Sequence, residues 1–310
     1  MCNKVIILLV GVLLILSAAT LEADNTIIQS SSWSTGHSVG DEQSKLYHSA
    51  GESMVGESQM DGIIDNHGFP VGMKGSQMGN INIAVDTTWS DTVFIDGDIT
   101  VLSSARLTIS AGTQVRFMGD YGIYVTQGTI LAEGTETDSI YFVSDAADST
   151  WRGIHFTDSS ELVSDSSKFV HCVFRDGYAT DGTGTQTYED YGGAIGTDYF
   201  SKILIQNSLF ENNSADASGG AISMRYGAAP KIIGNVFRNN SCVDWGGAIF
   251  MKENGGDPNP QPLIANNLIL DNTADSGGGI GVDVGYDARI YNNTICHNTA
   301  VGDYNGGVGV

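Results

Sequence analysis

The chain has 310 residues, of which 41% are hydrophobic and 16% charged, so it can build a large core and is not an intrinsically disordered protein. Its 36 Asp and Glu residues outnumber 14 Lys and Arg residues, and the resulting net charge of -22 argues against a nucleic acid partner. Its 40 glycines are about twice the average share without the strict spacing of collagen, so many separate positions require glycine.

The first residues have the pattern of an export signal. Lys4 supplies the positive start, Val5 to Leu16 is an uninterrupted apolar run, and small residues follow at Ser17 to Ala19. The run is too short to span a bilayer comfortably, and an uncleaved anchor is the alternative. We therefore expect residues 1–19 to be a signal peptide, the mature chain to have no transmembrane span, and the protein to be secreted or held at the cell surface or outer membrane.

The cysteines agree with export without supplying an obvious bridge. Cleavage removes Cys2 and leaves Cys172, Cys242 and Cys296, an odd number at no metal-ligand spacing. Three free thiols are the simplest interpretation. A bridge from Cys296 to Cys172 or to Cys242 is the alternative in an oxidising compartment.

Two regions of different texture follow the signal. Residues 20–84 are rich in Ser, Gly, Asp and His, and we interpret them as a weakly ordered leader. Further on, short apolar segments such as Val93 to Ile95, Leu107 to Ile109 and Ile154 to Phe156 alternate with Gly, Asp and Ser turns. This pattern predicts strands of three to five residues rather than helices, and we place a β-domain at residues 85–310.

Two sequence signatures repeat in phase in the second half of the chain. The first is a glycine pair followed by a small and an aliphatic residue, and the aliphatic positions are 195, 222, 249, 280 and 308, with periods of 27, 27, 31 and 28. The second begins with an apolar residue, at Phe174, Phe210, Phe237, Ile269 and Ile295. Three residues later it has Gly177, Asn213, Asn240, Asn272 and Asn298.

A unit of about 27 residues cannot bury its own apolar face, so the copies must stack. Parallel stacking of equivalent strands predicts an all-β, right-handed parallel β-helix with about 27–31 residues per rung. Equivalent residues then form ladders about 4.8 Å apart along the axis. We expect the Phe and Ile positions to stack inward and the Asn positions to form an amide ladder at a left-handed turn, where Gly177 replaces asparagine.

The repeats carry a family resemblance. The segment from Phe210 to Ile222, with Phe-Glu-Asn-Asn-Ser-Ala and Gly-Gly-Ala-Ile, resembles the repeat of chlamydial polymorphic outer membrane proteins and, more broadly, of secreted right-handed parallel β-helix (pectin lyase-like) proteins. Leu107 to Phe117 and Trp151 to Phe156 resemble the first coils of bacterial surface proteins of that type. The resemblance covers about residues 91–310, and it implies the fold without choosing between adhesins, sugar-cleaving enzymes and passive scaffolds.

Carboxylates recur just before the glycine pairs, at Asp190, Asp216, Asp244, Asp275 and Asp303. If they share one turn, neighbours lie about 5 Å apart, close enough to share a Ca²⁺ ion bound through oxygen. A solvated stripe of turn-starting residues is the alternative, because Asp favours turns. A glycosidase acid pair is a further alternative, although five repeated acids single out no pair.

Other motifs give weaker indications. Arg175 and Arg238 flank Glu211 in one column, which predicts a surface ion-pair ladder or, as an alternative, the base of a lyase. The aromatic residues Trp151, Trp245, Tyr188 and Tyr191 either line a sugar-stacking face or cap the core. Three Asn-Asn-Ser/Thr sequons, at 212–214, 239–241 and 292–294, are explained by the amide ladder rather than by glycosylation.

Together these patterns predict an exported, non-catalytic binding or adhesion scaffold whose partner is a polysaccharide or the surface of a host or neighbouring cell. The alternative is a polysaccharide lyase or glycoside hydrolase acting on acidic, plant or algal polysaccharide. The repeat is interrupted by inserts at 178–191 and 252–262, where we expect a site, because protruding loops form binding walls. The chain stops at Val310 without the polar cap that a solenoid needs, so we expect it to be a fragment followed by an anchoring or sorting domain.

Overall fold

The computed structural model describes residues 76–310, except 147–148, 158–166, 184–185, 200–202, 253–260, 284–286, 303–304 and 310. The predicted signal peptide and all but the last nine residues of the predicted leader lie outside this range. Among the described residues the first strand is Ser76–Met78, ahead of the predicted domain start at residue 85. Residues 74–310 belong to one structural unit.

Short strands follow one another along the chain and repeat as rungs of a coil. The first four rungs have three strands each, and these are β1 (Ser76–Met78), β2 (Ile81–Ile83), β3 (Thr87–Trp89), β4 (Thr92–Ile95), β5 (Ile99–Val101), β6 (Arg106–Ile109), β7 (Gln114–Phe117), β8 (Ile123–Val125), β9 (Thr129–Glu133), β10 (Ile140–Ser144), β11 (Ile154–Phe156) and β12 (Ser167–Val170).

The next rungs gain a fourth, two-residue strand. Their strands are β13 (Cys172–Arg175), β14 (Tyr178–Ala179), β15 (Ile195–Asp198), β16 (Ile203–Gln206), β17 (Leu209–Glu211), β18 (Ser214–Ala215), β19 (Ile222–Arg225), β20 (Lys231–Ile233), β21 (Val236–Arg238), β22 (Ser241–Cys242), β23 (Ile249–Lys252), β24 (Leu263–Ala265), β25 (Leu268–Leu270), β26 (Thr273–Ala274), β27 (Ile280–Val282), β28 (Arg289–Tyr291), β29 (Thr294–Cys296), β30 (Thr299–Ala300) and β31 (Val308–Gly309). Within the described ranges the one helix is a 3₁₀ turn at Tyr188–Asp190.

Equivalent strands of successive rungs pair in parallel and form four sheets. Sheet 1 has the order β1-β4-β7-β10-β13-β17-β21-β25-β29, sheet 2 β2-β5-β8-β11-β15-β19-β23-β27-β31, sheet 3 β28-β24-β20-β16-β12-β9-β6-β3, and sheet 4 β14-β18-β22-β26-β30. The glycine-pair signature keeps its phase, because Ile195, Ile222, Ile249, Ile280 and Val308 are register partners. The right-handed parallel β-helix predicted from the repeats is confirmed.

The core of the coil is built from stacked columns. Phe174, Phe210 and Phe237 are register partners on sheet 1, with ring centroids 4.6 and 4.7 Å apart and nearly parallel planes. The column continues into Ile269 and Ile295, as predicted. It also extends one rung earlier, since Phe142 stacks on Phe174 at 4.8 Å.

The predicted amide ladder is present and buried. Asn213 donates from its Nδ2 to Oδ1 of Asn240 at 2.9 Å, and Asn240 donates in the same way to Asn272, which donates to Asn298. Each Oδ1 also accepts the backbone N–H of the preceding rung's asparagine, so the ladder satisfies turn amides that have no strand partner.

The left-handed backbone predicted for the ladder asparagines is wrong, although the predicted bonding between their amides is present. The left-handed residues are the ones before the ladder, among them Asp176, Asn212 and Asn239, with φ of 61°, 57° and 56°. Gly177, whose φ is not positive, is required by space instead, because a Cβ there would overlap the carbonyl oxygen of Gly193. The sequon acceptors Asn212 and Asn239 are exposed residues outside the ladder, so the ladder does not account for them.

A second amide ladder, not anticipated from the sequence, runs between sheets 3 and 1. Asn235 donates to Oδ1 of Asn267 at 3.0 Å, and Asn267 donates to Asn293 at 2.9 Å. Ser208 continues the column, since its backbone N–H donates to Asn235. Two internal amide ladders thus fix two of the turns of each later rung.

The glycine pairs have two separate requirements. The first glycine has a positive φ in four of the five pairs, for example 75° at Gly219 and 73° at Gly246. The second glycine lies against the backbone of the next rung, and a Cβ at Gly220 would overlap the carbonyl oxygens of Gly247 and Ser241. Glycine is therefore required at the first position by its backbone conformation and at the second position by lack of space.

All three described cysteines are free thiols, which is the simpler of the two predicted states. Burial raises the pKa of Cys242 to about 12 and places the pKa of Cys172 higher still. Neither thiol is a reactive nucleophile at neutral pH.

Candidate functional site

The insert at 178–191 and the insert at 252–262 both adjoin sheet 2. The first lies between β14 and β15 and the second follows β23, so they enter and leave this sheet at opposite ends of its strands. Residues 184–185 and 253–260 within them lie outside the described part of the chain. The outer face of sheet 2 is therefore the surface on which protruding loops would form a site.

Three acids of the predicted calcium stripe bind the first insert. Asp190 is buried and accepts hydrogen bonds from the backbone N–H groups of Asp181 and Thr187 at 2.8 and 2.6 Å. Asp216 accepts from the hydroxyls of Tyr178 and Thr180, both at 2.6 Å. Asp244 accepts from the side-chain amide of Gln186 at 2.7 Å. Asp216 and Asp244 thus fasten the insert to the coil, whereas Asp190, which lies inside the insert, holds the insert's own turns together.

The five acids do not form one ladder. Backbone hydrogen bonds connect Asp190 to Ala217 and Ala217 to Asp244, so these two acids share a column with an alanine between them. Asp216 belongs to the adjacent column, where the next rung has Val243. Asp275 accepts a hydrogen bond from the neighbouring Ser276 hydroxyl at 3.3 Å, and Asp303 lies outside the described residues.

The calcium site stays a prediction. Within the described ranges, no group of three or more His, Cys, Asp or Glu residues is arranged to hold a metal ion. A shared ion would also have to compete with the protein donors of Asp190 and Asp216. A melting temperature that is unchanged at millimolar Ca²⁺ would contradict the prediction, and a rise reversed by a chelator would support it.

The outer face of sheet 2 carries an uncharged column of register partners, each preceded by an inward-facing isoleucine: Tyr124, His155, Gly196, Ser223 and Phe250. His155 is buried, and its Nε2 lies 2.6 Å from the carbonyl oxygen of Arg152. Because a carbonyl only accepts, Nε2 carries the proton and Nδ1 is an acceptor. Burial lowers the pKa of His155 and keeps the ring neutral.

Gly196 makes room for His155 and for the insert. A Cβ at Gly196 would lie 2.7 Å from Nδ1 of His155 and 2.8 Å from the carbonyl oxygen of Tyr191. In the next rung, Ser223 is buried and its hydroxyl has no hydrogen-bond partner within the described part of the chain. Beyond it, Phe250 is covered by the ring of Tyr191, with centroids 6.1 Å apart. These groups are enclosed between the sheet and the insert.

A charged column runs beside the uncharged one. Asp198, Arg225 and Lys252 are register partners, and Asp283 follows in the next rung. Arg225 donates from Nε and Nη2 to the two carboxylate oxygens of Asp198 at 2.9 and 2.7 Å, and Lys252 lies 2.8 Å from Asp283. The four charges thus form two ion pairs.

Arg225 is enclosed by aromatic rings. Its guanidinium carbon lies 3.9 Å from the ring centroid of Tyr191 and 5.2 Å from that of Tyr226. Its side chain is only 8% exposed. A cation in such a cage stabilises the rings around it through cation–π attraction.

Two tyrosines follow the charged residues at the carboxyl ends of their strands: Tyr199 comes after Asp198, and Tyr226 after Arg225. Tyr199 and Tyr226 stack with centroids 4.9 Å apart and an interplanar angle of 11°, and both have a left-handed backbone that turns the chain outward. Tyr199 is 41% exposed. Within the described ranges, neither phenol hydroxyl has a hydrogen-bond partner. The pair offers apolar ring surface and free hydroxyl groups at one place.

The other sequence candidates divide between roles. Trp151 is buried, stacks on Phe117 at 4.4 Å and donates to the carbonyl of Arg175, so it caps the core. Tyr188 is 42% exposed and meets His155 edge-on. The ladder of Arg175, Glu211 and Arg238 is confirmed as two ion pairs of 2.9 and 2.7 Å on sheet 1.

Sequence reasoning named the insert and missed the face beneath it. His155, Ser223, Asp198, Arg225 and Tyr226 were not singled out, because each stands at a position that differs from rung to rung. The sequence did contain a signal for this face. The residue three places after Ile195, Ile222 and Ile249 is charged in each case, and these residues are Asp198, Arg225 and Lys252. Three consecutive charges at one repeat position predict an outward column.

Comparison with known families agrees with this geometry. The family model described as "Right handed beta helix region" matches residues 184–310. That part of the chain is a right-handed β-helix region. Comparisons with curated proteins and with solved structures give no match. Among the described residues, no helix has the length and apolar character that crossing a membrane requires.

Proposed function

We propose that the protein is an exported, non-catalytic scaffold that binds carbohydrate on the outer face of sheet 2. The observation that carries this proposal is the stacked pair of exposed Tyr199 and half-buried Tyr226, whose hydroxyls have no partner within the described ranges. A pyranose ring has apolar C–H faces and hydroxyl edges, so an exposed phenol matches both. The partner is a free polysaccharide or the glycan coat of a host or neighbouring cell.

The surroundings of the pair support a binding role. Its two tyrosines stand in adjacent rungs. Tyr188 of the first insert adds an exposed ring, which lies against His155 of the same sheet. The buried ion pair of Asp198 and Arg225 holds the base of the pair rigid. Rigid aromatic groups that are ordered before binding lose little entropy when a ligand arrives.

The alternative function, a polysaccharide lyase or glycoside hydrolase, needs acids or bases that touch the substrate. The groups with such chemistry near the insert are enclosed: His155 and Ser223 are buried, and Asp198 is bonded by Arg225. The half-buried acids Asp216 and Asp244 bind the insert. We therefore favour binding without cleavage.

A glycan panel with a parallel assay for products tests the proposal. The intact protein is screened against neutral and acidic oligosaccharides with and without Ca²⁺, and unsaturated or reducing-end products are measured in the same samples. We expect retention of glycans without products. Products, or no retention of any glycan, would contradict the proposal.

Variants of the tyrosines locate the site. Tyr199→Asn and Tyr226→Asn remove the rings and keep a residue that tolerates a positive φ. We expect each to weaken glycan binding about tenfold, the cost of losing one aromatic anchor. Tyr141→Thr removes a tyrosine of similar exposure from a strand of sheet 1 and should leave binding unchanged.

A further inference from the structure

The charged column on sheet 2 has cations that are already neutralised. Arg225 has Asp198 as its partner at 2.7 Å, and Lys252 has Asp283 at 2.8 Å. The column therefore contributes two positive and two negative charges and no net charge. A face that recognised a polyanion would keep at least one cation available to it.

Arg225 is closed to an incoming carboxylate by geometry. Its Nε and Nη2 groups are both used by Asp198, which is the fork arrangement that a ligand carboxylate would otherwise occupy. One face of its guanidinium lies under Tyr191. Recognition of a uronate by Arg225 would require breaking this buried ion pair.

Lys252 is more accessible, with its side chain 36% exposed, but its ammonium group is bonded to Asp283. The hydrogen bond to Asp283 is also the largest reason that the pKa of Lys252 is raised. The chain as a whole has 36 acids against 14 bases, so its field repels a polyanion before contact. Both local pairing and net charge thus disfavour acidic polysaccharides.

We propose that the sheet 2 face selects neutral polysaccharides over uronate polymers, and that Asp283 is a specificity-determining residue because it neutralises Lys252. This inference rests on the proposed carbohydrate-binding function. The ligand that fits is a polymer of uncharged hexose or pentose units, which can stack on Tyr199 and share hydrogen bonds with its hydroxyl. Asp198 contributes in the same way for Arg225, but it is too buried to vary without damage.

The test compares neutral and acidic hexasaccharides. Cellohexaose, xylohexaose and mannohexaose serve as neutral probes and hexagalacturonic acid as the acidic probe, each titrated against the intact protein and against Asp283→Asn. We expect the wild-type protein to bind at least one neutral probe and to bind the acidic probe at least tenfold more weakly. In Asp283→Asn we expect affinity for the acidic probe to rise several-fold while neutral binding stays within twofold.

Asp145→Asn is the matched control. Asp145 pairs with Arg116 at 2.9 Å on sheet 1, and the exposures of that pair, 34% and 37%, resemble those of Lys252 and Asp283. It makes the same change in net charge away from the proposed face. An equal gain in both variants would assign the effect to net charge and overturn the role of Asp283.

The outcomes separate the two proposals. Tighter binding of hexagalacturonic acid than of the neutral probes by the wild-type protein would overturn the inference and leave carbohydrate binding intact. Failure of the wild-type protein to bind any probe would overturn the proposed function and the inference with it.

Discussion

The guanidinium of Arg225 lies 3.9 Å from the ring centroid of Tyr191, and this contact joins the insert to sheet 2. Tyr191 is the last residue of the insert at 178–191, and Arg225 stands on β19 one rung further along the coil. The ring also covers Phe250. The insert is thus held by side-chain packing as well as by the acids Asp216 and Asp244.

Removing the ring of Tyr191 should loosen the insert. We expect Tyr191→Ala to lower the free energy of unfolding by about 2–4 kcal/mol, because cation–π attraction and aromatic packing are both lost. Tyr191→Phe keeps both and should cost less than about 1 kcal/mol. Urea unfolding of the two variants checks this, and equal midpoints would show that the contact does not hold the insert.

The amide ladder should be more sensitive than its neighbouring turn residues. In Asn240→Ala, the amide groups of Asn213 lose their acceptor and the carbonyl of Phe210 loses its donor, all of them buried. We expect a loss of about 3 kcal/mol or more, since each buried polar group left unpaired costs about 1–3 kcal/mol.

Asn239→Gly is the matched control for the ladder. Asn239 is exposed and has a φ of 56°, which glycine adopts freely, so the change should stay within about 0.5 kcal/mol. A ladder variant as stable as this control would contradict the importance of the buried amides.

The second glycine of a pair should tolerate no side chain. A Cβ at Gly220 overlaps backbone oxygens of two neighbouring residues, so Gly220→Ala must displace a rung and should abolish cooperative folding or lower the melting temperature by more than 10 °C, about 3 kcal/mol or more. Gly182→Ala also enters a positive φ, but in open space, and should cost only about 1–2 kcal/mol. Thermal melts of both variants decide, and similar losses would refute the close-packing argument.

Acid should destabilise the protein through His155. The folded state holds the pKa of His155 below its unfolded value of about 6.5, so the unfolded chain binds the extra proton as pH falls below that value. The contribution is complete above the unfolded pKa and declines on acidification by up to about 1.4 kcal/mol per pH unit. His155→Gln should reduce this slope between pH 6.5 and 5.5. Unfolding curves with parallel slopes in both proteins would contradict a neutral buried His155.

The fold was predictable because two signatures recur in phase. A glycine pair and an Asn turn at 27–31-residue spacing permit one kind of stacking, and the registers of Phe210 with Phe237 and of Ile222 with Ile249 follow from it. The amide ladder of Asn213 and Asn240 was predictable for the same reason. Its backbone explanation was wrong because the left-handed residue of the turn is the one before, which has no single identity along the coil.

The candidate site was only partly predictable. The insert at 178–191 is visible as an interruption of the repeat, but its acids Asp190 and Asp216 read as a stripe because spacing does not show which donors they accept from. Arg225 and Tyr226 belong to neither of the two repeated signatures. Their pairing depends on the register between rungs and on where the insert folds back, and both are tertiary facts.

The central claim is that sheet 2 binds glycan through the stacked side chains of Tyr199 and Tyr226. The most direct measurement is isothermal titration of whichever neutral hexasaccharide, cellohexaose, xylohexaose or mannohexaose, binds most tightly, against wild type, Tyr199→Asn and Tyr141→Thr. We predict a Kd about tenfold higher for Tyr199→Asn, about 1.4 kcal/mol, and an unchanged Kd for Tyr141→Thr. Equal Kd values for the wild type and Tyr199→Asn would contradict the account.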